Sequence, residues 1–504
     1  MQELVQLTQI VSKQKVKQIN IITENSGFRG KSRILYESLL NGDITTDEEA
    51  LELLYDGAKS PALRKLKFRL KTRLINTLFF VDLNKSKREY GRSKIVLMKN
   101  WAATEIIAAQ GFVKLARRLQ EKILHTAISL FRFDIALSIA INLRTGYSTV
   151  TPNSKKLLYY DALVDKISEE YKTETKIKSI YAHLANSILT KKKPKEHQLQ
   201  NYLIELRKLD SKLQYQDNFI SKFNYLNSIY FLGMLLKKQS LIEEACKSGL
   251  NFIEKTEFVP VAFRFSFYQK NALLLLQKEH FGAAQKEFLE LLKFKLTPGG
   301  LGWQFCHTYL TLTHILLVEY PSAYELCAKV LNHKAFSKLA ISLQENWYIK
   351  EAYLHFLIAL GRLDISESKV KIKRKFWMGK FLNEVVEPSK DKTGYNLSII
   401  IIQVLFLHHK DEQVLLNEKL DAIKQYSFRY LKGPKYIRPR TFIKLLQKLR
   451  YNYPVKVLKT KSRNLLRTLS DNPSDFSEES IQIEIIPYEN QWQEIIGHLE
   501  RGRS

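Results

Sequence analysis

The spacing of apolar residues is the feature that most constrains the fold of this chain. Long segments place apolar side chains at steps of three and four residues, which is typical of amphipathic helices. Only 12 prolines and 19 glycines interrupt the 504 residues. The segment from Glu121 to Leu143 shows the pattern twice around Arg132 to Asp134, which predicts a helix, a tight turn and a second helix. The sequence therefore predicts an all-helical fold.

Small residues recur in the middle of the chain at intervals of about 40 residues, where a close helix crossing tolerates little side-chain volume. In the first helix of each predicted unit they are Gly233, Ala272 and Ala352, with the larger Leu312 in the slot between the last two. In the second helix they are Ala245, Ala284 and Ala323. This recurrence predicts a series of helical hairpins.

The clearest copy of the hairpin runs from Tyr268 to Pro298 and resembles a tetratricopeptide repeat (TPR). Its aromatic, small and closing positions are Tyr268, Ala272, Leu275, Phe281, Ala284, Phe288, Leu291 and Pro298. The resemblance covers Leu226 to Gly361, although the period exceeds the family's repeat of about 34 residues. It implies a right-handed superhelix of TPR-like hairpins with a concave surface that holds peptides or proteins.

The chain divides into four predicted regions. They are a basic N-terminal helical region over residues 1–100, a helical-repeat solenoid over 101–364, a C-terminal helical region over 365–470 that is strongly basic from 422, and an acidic tail over 471–504. The tail contains "SIQIEIIPYENQW", whose alternation predicts a short strand-like segment near the C-terminus.

Positive charge is the main clue to a partner. The net charge of +29 favours phosphates or acidic proteins. Residues 422–470 hold no acidic residue, and aromatic residues are interleaved with the cations, as in surfaces that bind single-stranded nucleic acid. The candidate binding residues here are Lys432, Lys435, Arg438, Arg440, Lys444, Lys448 and Arg450.

Two other interpretations of this basic stretch remain open. Phe442, Leu445, Leu446 and Leu449 have helical spacing, so the cations could form the outer face of a helix packed on a core. The acidic tail from Asp471 to Glu500 could also dock on the stretch and shield it.

The N-terminal region offers a second set of cations. Residues Lys31 to Ile75 predict three short helices, the second capped by Thr45 or Thr46. The third carries the candidates Arg64, Lys67, Arg69, Lys71 and Arg73. The pattern is similar to the winged-helix part of bacterial transcriptional activators, which implies a third helix that enters the major groove of DNA. The favoured interpretation of the residues themselves is a basic helix packed on the first hairpin.

One segment resembles a phosphate-binding loop. In "NSGFRGKS", residues 25–32, the resemblance implies that Lys31 reaches phosphates and that Ser32 meets magnesium. Asn25 replaces the first glycine, and the chain does not supply the parallel strands that support such loops. A loop ahead of a helix is the favoured interpretation, and nucleotide hydrolysis is a distant alternative.

The remaining chemistry is sparse. The odd set Cys246, Cys306 and Cys327 favours a reducing compartment over a disulfide framework. Neither Cys306 with His307 and His314 nor the glycines of "TPGGLGW" indicate a metal or cofactor site. The longest apolar run, Leu397 to Leu407, is shorter than the roughly 20 residues that a membrane span needs, and the first residues do not resemble an export signal.

Together these features predict a protein of the cytoplasm, in a bacterium, that acts without catalysis, cofactor or metal. We expect a scaffold or adaptor that binds a protein partner through a helical-repeat surface. The alternative is a nucleic-acid-binding transcriptional regulator with a basic N-terminal head, and the distant alternative is a nucleotide-binding ATPase.

Overall fold

The computed structural model describes residues 29–57, 61–79, 89–212, 218–256, 259–385, 395–474, 476 and 484–501. Every regular element in these ranges is a helix, which confirms the prediction of an all-helical chain. Two compact units are present: unit one comprises residues 1–179 and 207–221, and unit two comprises 180–206 and 222–504.

Unit one begins with a three-helix module and continues with helical hairpins. Its helices are α1 (Lys31–Asn41), α2 (Asp47–Tyr55), α3 (Pro61–Leu78), α4 (Glu89–Ala109), α5 (Val113–Ser129), α6 (Phe133–Thr145) and α7 (Ser154–Leu189), whose last residues belong to unit two. The next helix along the chain is α8 (Glu196–Asp210).

The three-helix module has its own small core, formed by Leu35, Ile44, Ala50, Leu54, Leu63, Leu66 and Leu70. The predicted cap of α2 is present at Thr46: its hydroxyl accepts a hydrogen bond from the backbone of Glu49, whose carboxylate accepts one from the backbone of Thr46. Three helices therefore follow one another as the sequence predicts, and α3 is the longest of them.

Unit two holds the repeated hairpins. They are built from α9 (Phe219–Leu236), α10 (Gln239–Lys255), α11 (Val261–Gln277), α12 (Phe281–Leu292), α13 (Leu301–Leu316), α14 (Tyr320–Leu331) and α15 (Ile341–Ala359). Consecutive helices from α10 to α15 pack on one another. The helices α11, α13 and α15 begin 40 residues apart, so the predicted period is present in the structure.

The same type of turn joins the two helices of each hairpin. A residue with left-handed backbone lies two positions before the second helix, as Lys237, Glu279 and Val318 show with φ values of 55°, 59° and 60°. Unit one uses the same turn at Phe131, which places the predicted break of the Glu121–Leu143 segment between α5 and α6. The backbone N–H groups of the turn close hydrogen bonds to the last carbonyls of the first helix.

Small residues sit at the crossings, as the sequence predicts. The six small residues Gly233, Ala245, Ala272, Ala284, Ala323 and Ala352 are all buried. A Cβ atom at Gly233 would lie 2.6 Å from the side chain of Ile242, so a larger residue does not fit there. Leu312 stands at the same position of α13 as Ala272 in α11 and is buried as well.

The rest of unit two packs on the last hairpins. It contains α16 (Met378–Val385), α17 (Tyr395–His409), α18 (Gln413–Tyr430), α19 (Ile437–Leu446), α20 (Val455–Ser470) and α21 (Tyr488–Arg501). One apolar cluster runs from α13 to α21, with Trp347, Tyr353 and Trp492 among its fully buried members.

The predicted strand near the C-terminus is not supported. Residues 480–483 lie outside the described ranges, residues 484–487 are irregular, and the tail from Tyr488 onward is the helix α21. Tyr488, Trp492, Ile495 and Ile496 are buried on one side of that helix. Their spacing of three and four residues outweighs the short alternation that precedes them.

Candidate functional site

Arg438 is the most tightly held of the candidate cations. Its guanidinium donates to both oxygens of Glu484, at 3.0 and 2.5 Å, and to both oxygens of Glu489, at 3.0 and 2.7 Å. It also donates to the carbonyls of Leu469 and Asn472, each at 2.9 Å. Burial lowers the pKa of Arg438, but the two carboxylates outweigh burial and raise it. This side chain stays charged and fastens the tail to α19 and α20.

Two further arginines of the basic stretch are also engaged. Arg440 donates to the carbonyl of Leu431 at 3.2 Å. Arg450 forms an ion pair with Asp421 at 2.5 Å and donates to the carbonyl of Asn417 at 3.2 Å. These arginines therefore connect α18 to the segments around it.

The lysines of the same stretch point outward. Lys432, Lys435 and Lys444 are exposed, and Lys448 is half-buried. The predicted inward set is confirmed, since Phe442, Leu445, Leu446 and Leu449 are all buried. Tyr436 is buried too, Tyr426, Tyr430 and Tyr453 are half-buried, and Phe428 and Tyr451 are exposed. Arginines and lysines thus have different environments in one basic sequence.

The acidic tail contacts the rest of unit two at several points. Glu500 pairs with Lys459 at 2.7 Å, and Glu494 pairs with Arg362 at 2.5 Å. The hydroxyl of Tyr320 donates to Glu494 at 3.2 Å. Among the candidate cations, Arg438 forms ion pairs with the described part of the tail. Lys432 and Lys444 are exposed.

The N-terminal candidates lie on α3 in unit one. Its buried residues Leu63, Leu66 and Leu70 face the module core, and no acidic residue occurs in the helix. On the outer side, Arg64, Lys65, Arg69 and Lys71 are exposed, as is Phe68. Lys67 pairs with Asp47 of α2 at 2.6 Å, and Arg73 is half-buried. The outer side is therefore a cationic surface of a folded three-helix module.

The suspected phosphate loop has a different arrangement at its described end. The ammonium of Lys31 donates to the carbonyl of Leu54 and lies 3.8 Å from the ring centre of Tyr55. Residues 25–28 lie outside the described ranges. Lys31 thus connects α1 to the end of α2.

The histidines and cysteines have separate environments. His307 is buried with Nδ1 2.8 Å from the carbonyl of Trp303, and His314 lies 2.7 Å from Glu319. The three cysteines are buried and unpaired. No group of three His, Cys, Asp or Glu side chains that could hold a metal ion occurs within the described ranges. In "TPGGLGW", Gly299 at φ 81° and Gly300 form the turn before α13, and Gly302 lies in the first turn of that helix.

A second row of cations lies outside the candidates predicted from the sequence. Lys369, Lys371, Lys373 and Lys375 lie in the irregular segment between α15 and α16, and all four are exposed. The signal is the alternation in "KVKIKRKFW", which has a period of two in a chain dominated by helical spacing.

No protein-family model, curated protein or solved structure matches this chain. Within the described part of the chain, every helix is too short or too polar to cross a membrane.

Proposed function

We propose that the protein is a non-catalytic adaptor of the cytoplasm that binds a protein partner through its repeated hairpins, which form a right-handed TPR-like superhelix. The observation that carries the proposal is a row of exposed aliphatic side chains at the first position of every second helix, α11, α13 and α15. Val261 of α11, Leu301 of α13 and Ile341 of α15 are 65%, 88% and 62% exposed.

This row recurs with the period of the hairpins. The three residues are 40 positions apart, so equivalent hairpins present equivalent side chains to solvent. Apolar side chains exposed singly are ordinary on protein surfaces, whereas a regular set is typical of a binding surface. A polypeptide with apolar residues along its length is the partner that such a row favours.

The hairpins already hold a remote polypeptide segment of the same chain. The ring of Phe476 packs edge-on against Phe281 of α12 with 6.0 Å between ring centres. Its carbonyl accepts a hydrogen bond from Tyr309 of α13 at 3.4 Å. These contacts support the proposal, because they are the kind of aromatic and backbone contact that a bound peptide makes.

The proposal is tested by replacing Val261, Leu301 and Ile341 together with aspartate. Aspartate at the first position of a helix is favourable, because the helix N-terminus carries partial positive charge. We expect the triple variant to keep its melting temperature and to lose at least about 90% of the partner, a loss of about 1.4 kcal/mol or more. The measurement is affinity capture from native lysate with quantitative mass spectrometry.

Val414→Asp is the matched control, since Val414 is exposed in the first turn of α18, outside the repeated hairpins. It should capture the same partner as the unchanged protein. Retention of every partner by the triple variant would refute the proposal, as would equal losses in the control.

A second function is favoured by the surface of α3. We propose, as the alternative, that the protein regulates transcription by binding duplex DNA through the exposed cations Arg64, Lys65, Arg69 and Lys71. In the described structure these four side chains make no ion pair, so their charge is available to phosphates. Lys31 supports no comparable proposal for a nucleotide, because its ammonium is held by α2.

The alternative predicts a salt-dependent affinity for duplex DNA. Changing Arg64, Lys65 and Arg69 to glutamine should reduce the slope of log K against log salt by about 2.7, because each phosphate that a cation neutralises contributes about 0.9. Fluorescence anisotropy with a labelled duplex measures this slope. Lys191, Lys192 and Lys193 changed to glutamine provide a control with the same change in net charge. Absence of duplex binding at low salt would rule the alternative out.

A further inference from the structure

The irregular segment from Lys369 to Trp377 is fixed to α14 through its backbone. The side chain of Asn332 donates to the carbonyl of Lys371 at 2.9 Å and accepts from the N–H of Lys373 at 3.1 Å. The hydroxyl of Tyr324 accepts from the N–H of Ile372 at 3.3 Å. These bonds satisfy backbone groups in the part of the segment that precedes Trp377, whose own carbonyl accepts from the N–H of Phe381 at 3.0 Å.

Alternate side chains fix the same segment to α15. Arg374 forms a two-point ion pair with the fully buried Glu351, at 3.0 and 2.7 Å. Phe376 stacks on His355 with 4.5 Å between ring centres. These side chains turn inward, whereas the lysines that alternate with them are exposed.

The outward residues form the lysine row, which consists of Lys369, Lys371, Lys373 and Lys375. Alternate Cα atoms of a chain are at most about 7 Å apart. This is less than the screening length of about 8 Å at physiological ionic strength, so the fields of neighbouring lysines add. No lysine of the row forms an ion pair within the described structure, and residues 368–378 contain no acidic residue.

Glu325 and Asp364 border the row and accept backbone hydrogen bonds from the loop, and the exposed Glu367 lies two residues before Lys369. Glu325 accepts a hydrogen bond from the backbone N–H of Lys369 at 2.7 Å. Asp364 accepts one from the backbone of Ser366 at 2.8 Å, and this bond, with a smaller contribution from Lys371, lowers the pKa of Asp364. Both carboxylates therefore hold the loop in shape, and the four ammonium groups remain in solvent.

An exposed indole ends the row. Trp377 is 56% exposed, and the ammonium of Lys375 lies 4.5 Å from its ring centre. A large aromatic side chain held at the surface beside a cation offers a flat face for a nucleobase, and the lysines offer charge to phosphates. An acidic protein would use the charge but has no particular need of the indole face.

We propose that the lysine row and Trp377 form a binding site for single-stranded nucleic acid, with phosphates along the lysines and a base stacked on the indole. A single strand can follow the irregular line of the row and can turn a base outward, which a paired duplex cannot do without unstacking. This site is separate from the exposed aliphatic row of the adaptor proposal and does not rest on it.

Titration of the full-length protein with a fluorescent 15-nucleotide oligothymidylate tests the site. Trp377→Ala should weaken binding about 5- to 150-fold, as expected for one stacked base. Lys371→Gln with Lys373→Gln should reduce the slope of log K against log salt by about 1.4, because each phosphate of a single strand that a cation neutralises contributes about 0.7. Binding to the unchanged protein should quench tryptophan fluorescence, and Trp377→Phe should remove most of the quenching while keeping most of the affinity.

The controls separate this site from general attraction to a basic protein. Lys192→Gln with Lys193→Gln makes the same change in net charge at an exposed cluster in the loop before α8, and its salt slope should stay unchanged. The substituted lysines point into solvent, so each variant should keep the melting temperature of the unchanged protein.

Three outcomes would overturn the proposal. One is affinity for oligothymidylate that does not depend on Trp377 or on the lysine row. Another is equal or tighter binding of poly-glutamate that is unaffected by Trp377→Ala, which would assign the row to an acidic protein. The third is binding to vesicles of anionic lipid with no binding to the oligonucleotide, which would assign it to a membrane surface. Loss of the adaptor's partner in the aspartate variant has no bearing on any of these results.

Discussion

Replacing Arg438 by alanine should lower the free energy of unfolding by about 3 to 5 kcal/mol, the range found when one partner of a buried ion pair is removed. The change leaves the buried carboxylate of Glu484 without its cation and removes the donor to the carbonyls of Leu469 and Asn472. Because Glu489 lies on α21, the C-terminal helix should also loosen from α19. Denaturant unfolding followed by circular dichroism measures the loss.

Arg467→Ala is the control for this prediction. Arg467 is exposed and lies 3.9 Å from Asp471, so its removal changes net charge equally but should alter stability by less than about 1 kcal/mol. A loss below about 1 kcal/mol for Arg438→Ala would show that the buried pairs do not fasten the C-terminal helix.

Replacing Lys350 by methionine should stabilise the protein at neutral pH by about 2 to 4 kcal/mol, because an apolar residue of similar length removes a buried charge. Lys350 is only 5% exposed and lines a small cavity with Leu312, Ile315 and Ile485. Its ammonium donates to Asn346 and lies 4.8 Å from the ring centre of Trp347. Within the described structure it forms no ion pair, and burial lowers its pKa from 10.5 to about 7.

The lowered pKa of Lys350 makes the free energy of unfolding depend on pH. The folded state holds a proton on Lys350 less tightly than the unfolded state, so the destabilisation is complete below pH 7 and vanishes as pH rises from about 7 to 10.5. A tenfold change in a dissociation constant is worth about 1.4 kcal/mol, so a lowering of the pKa from 10.5 to about 7 corresponds to roughly 5 kcal/mol.

In the unchanged protein we therefore expect the contribution of Lys350 to the free energy of unfolding to rise between about pH 7 and pH 10.5. In the methionine variant the contribution of this residue should not change with pH. The two curves should converge near pH 10.5. Lys444→Met, at an exposed position of α19, is the control and should leave the curve unchanged. A Lys350→Met variant that is less stable than the unchanged protein at pH 7 would contradict the prediction.

The helices and their junctions could largely be predicted from the sequence, because the 3.6-residue period leaves a direct pattern in the chain. Thr46 at the start of α2 and the small residues Ala272 and Ala284 occupy the places that their chemistry indicates. The strand predicted near the C-terminus is not supported, because the helical spacing of Tyr488 and Trp492 continues where the local alternation ends.

The burial and the ion pairs of the candidate cations could not be predicted from the sequence. Nothing in the local sequence distinguishes Arg438 from Lys435, yet the first is enclosed by two carboxylates and the second faces solvent. The difference depends on Glu484 and Glu489, which are 46 and 51 residues away. The burial of Lys350 is equally hidden, because a lysine on a helix usually faces water and only tertiary packing places this one inside.

The contacts of the acidic tail also determine the order in which parts of unit two can fold during translation. Neighbouring hairpins of unit two depend on residues close in sequence, so each can form soon after it leaves the ribosome. Tyr309 and Tyr320, in contrast, bond to residues 167 and 174 positions later in the chain. The apolar surface that α21 covers must therefore stay exposed until α21 itself has been made, long after the hairpins on which it packs.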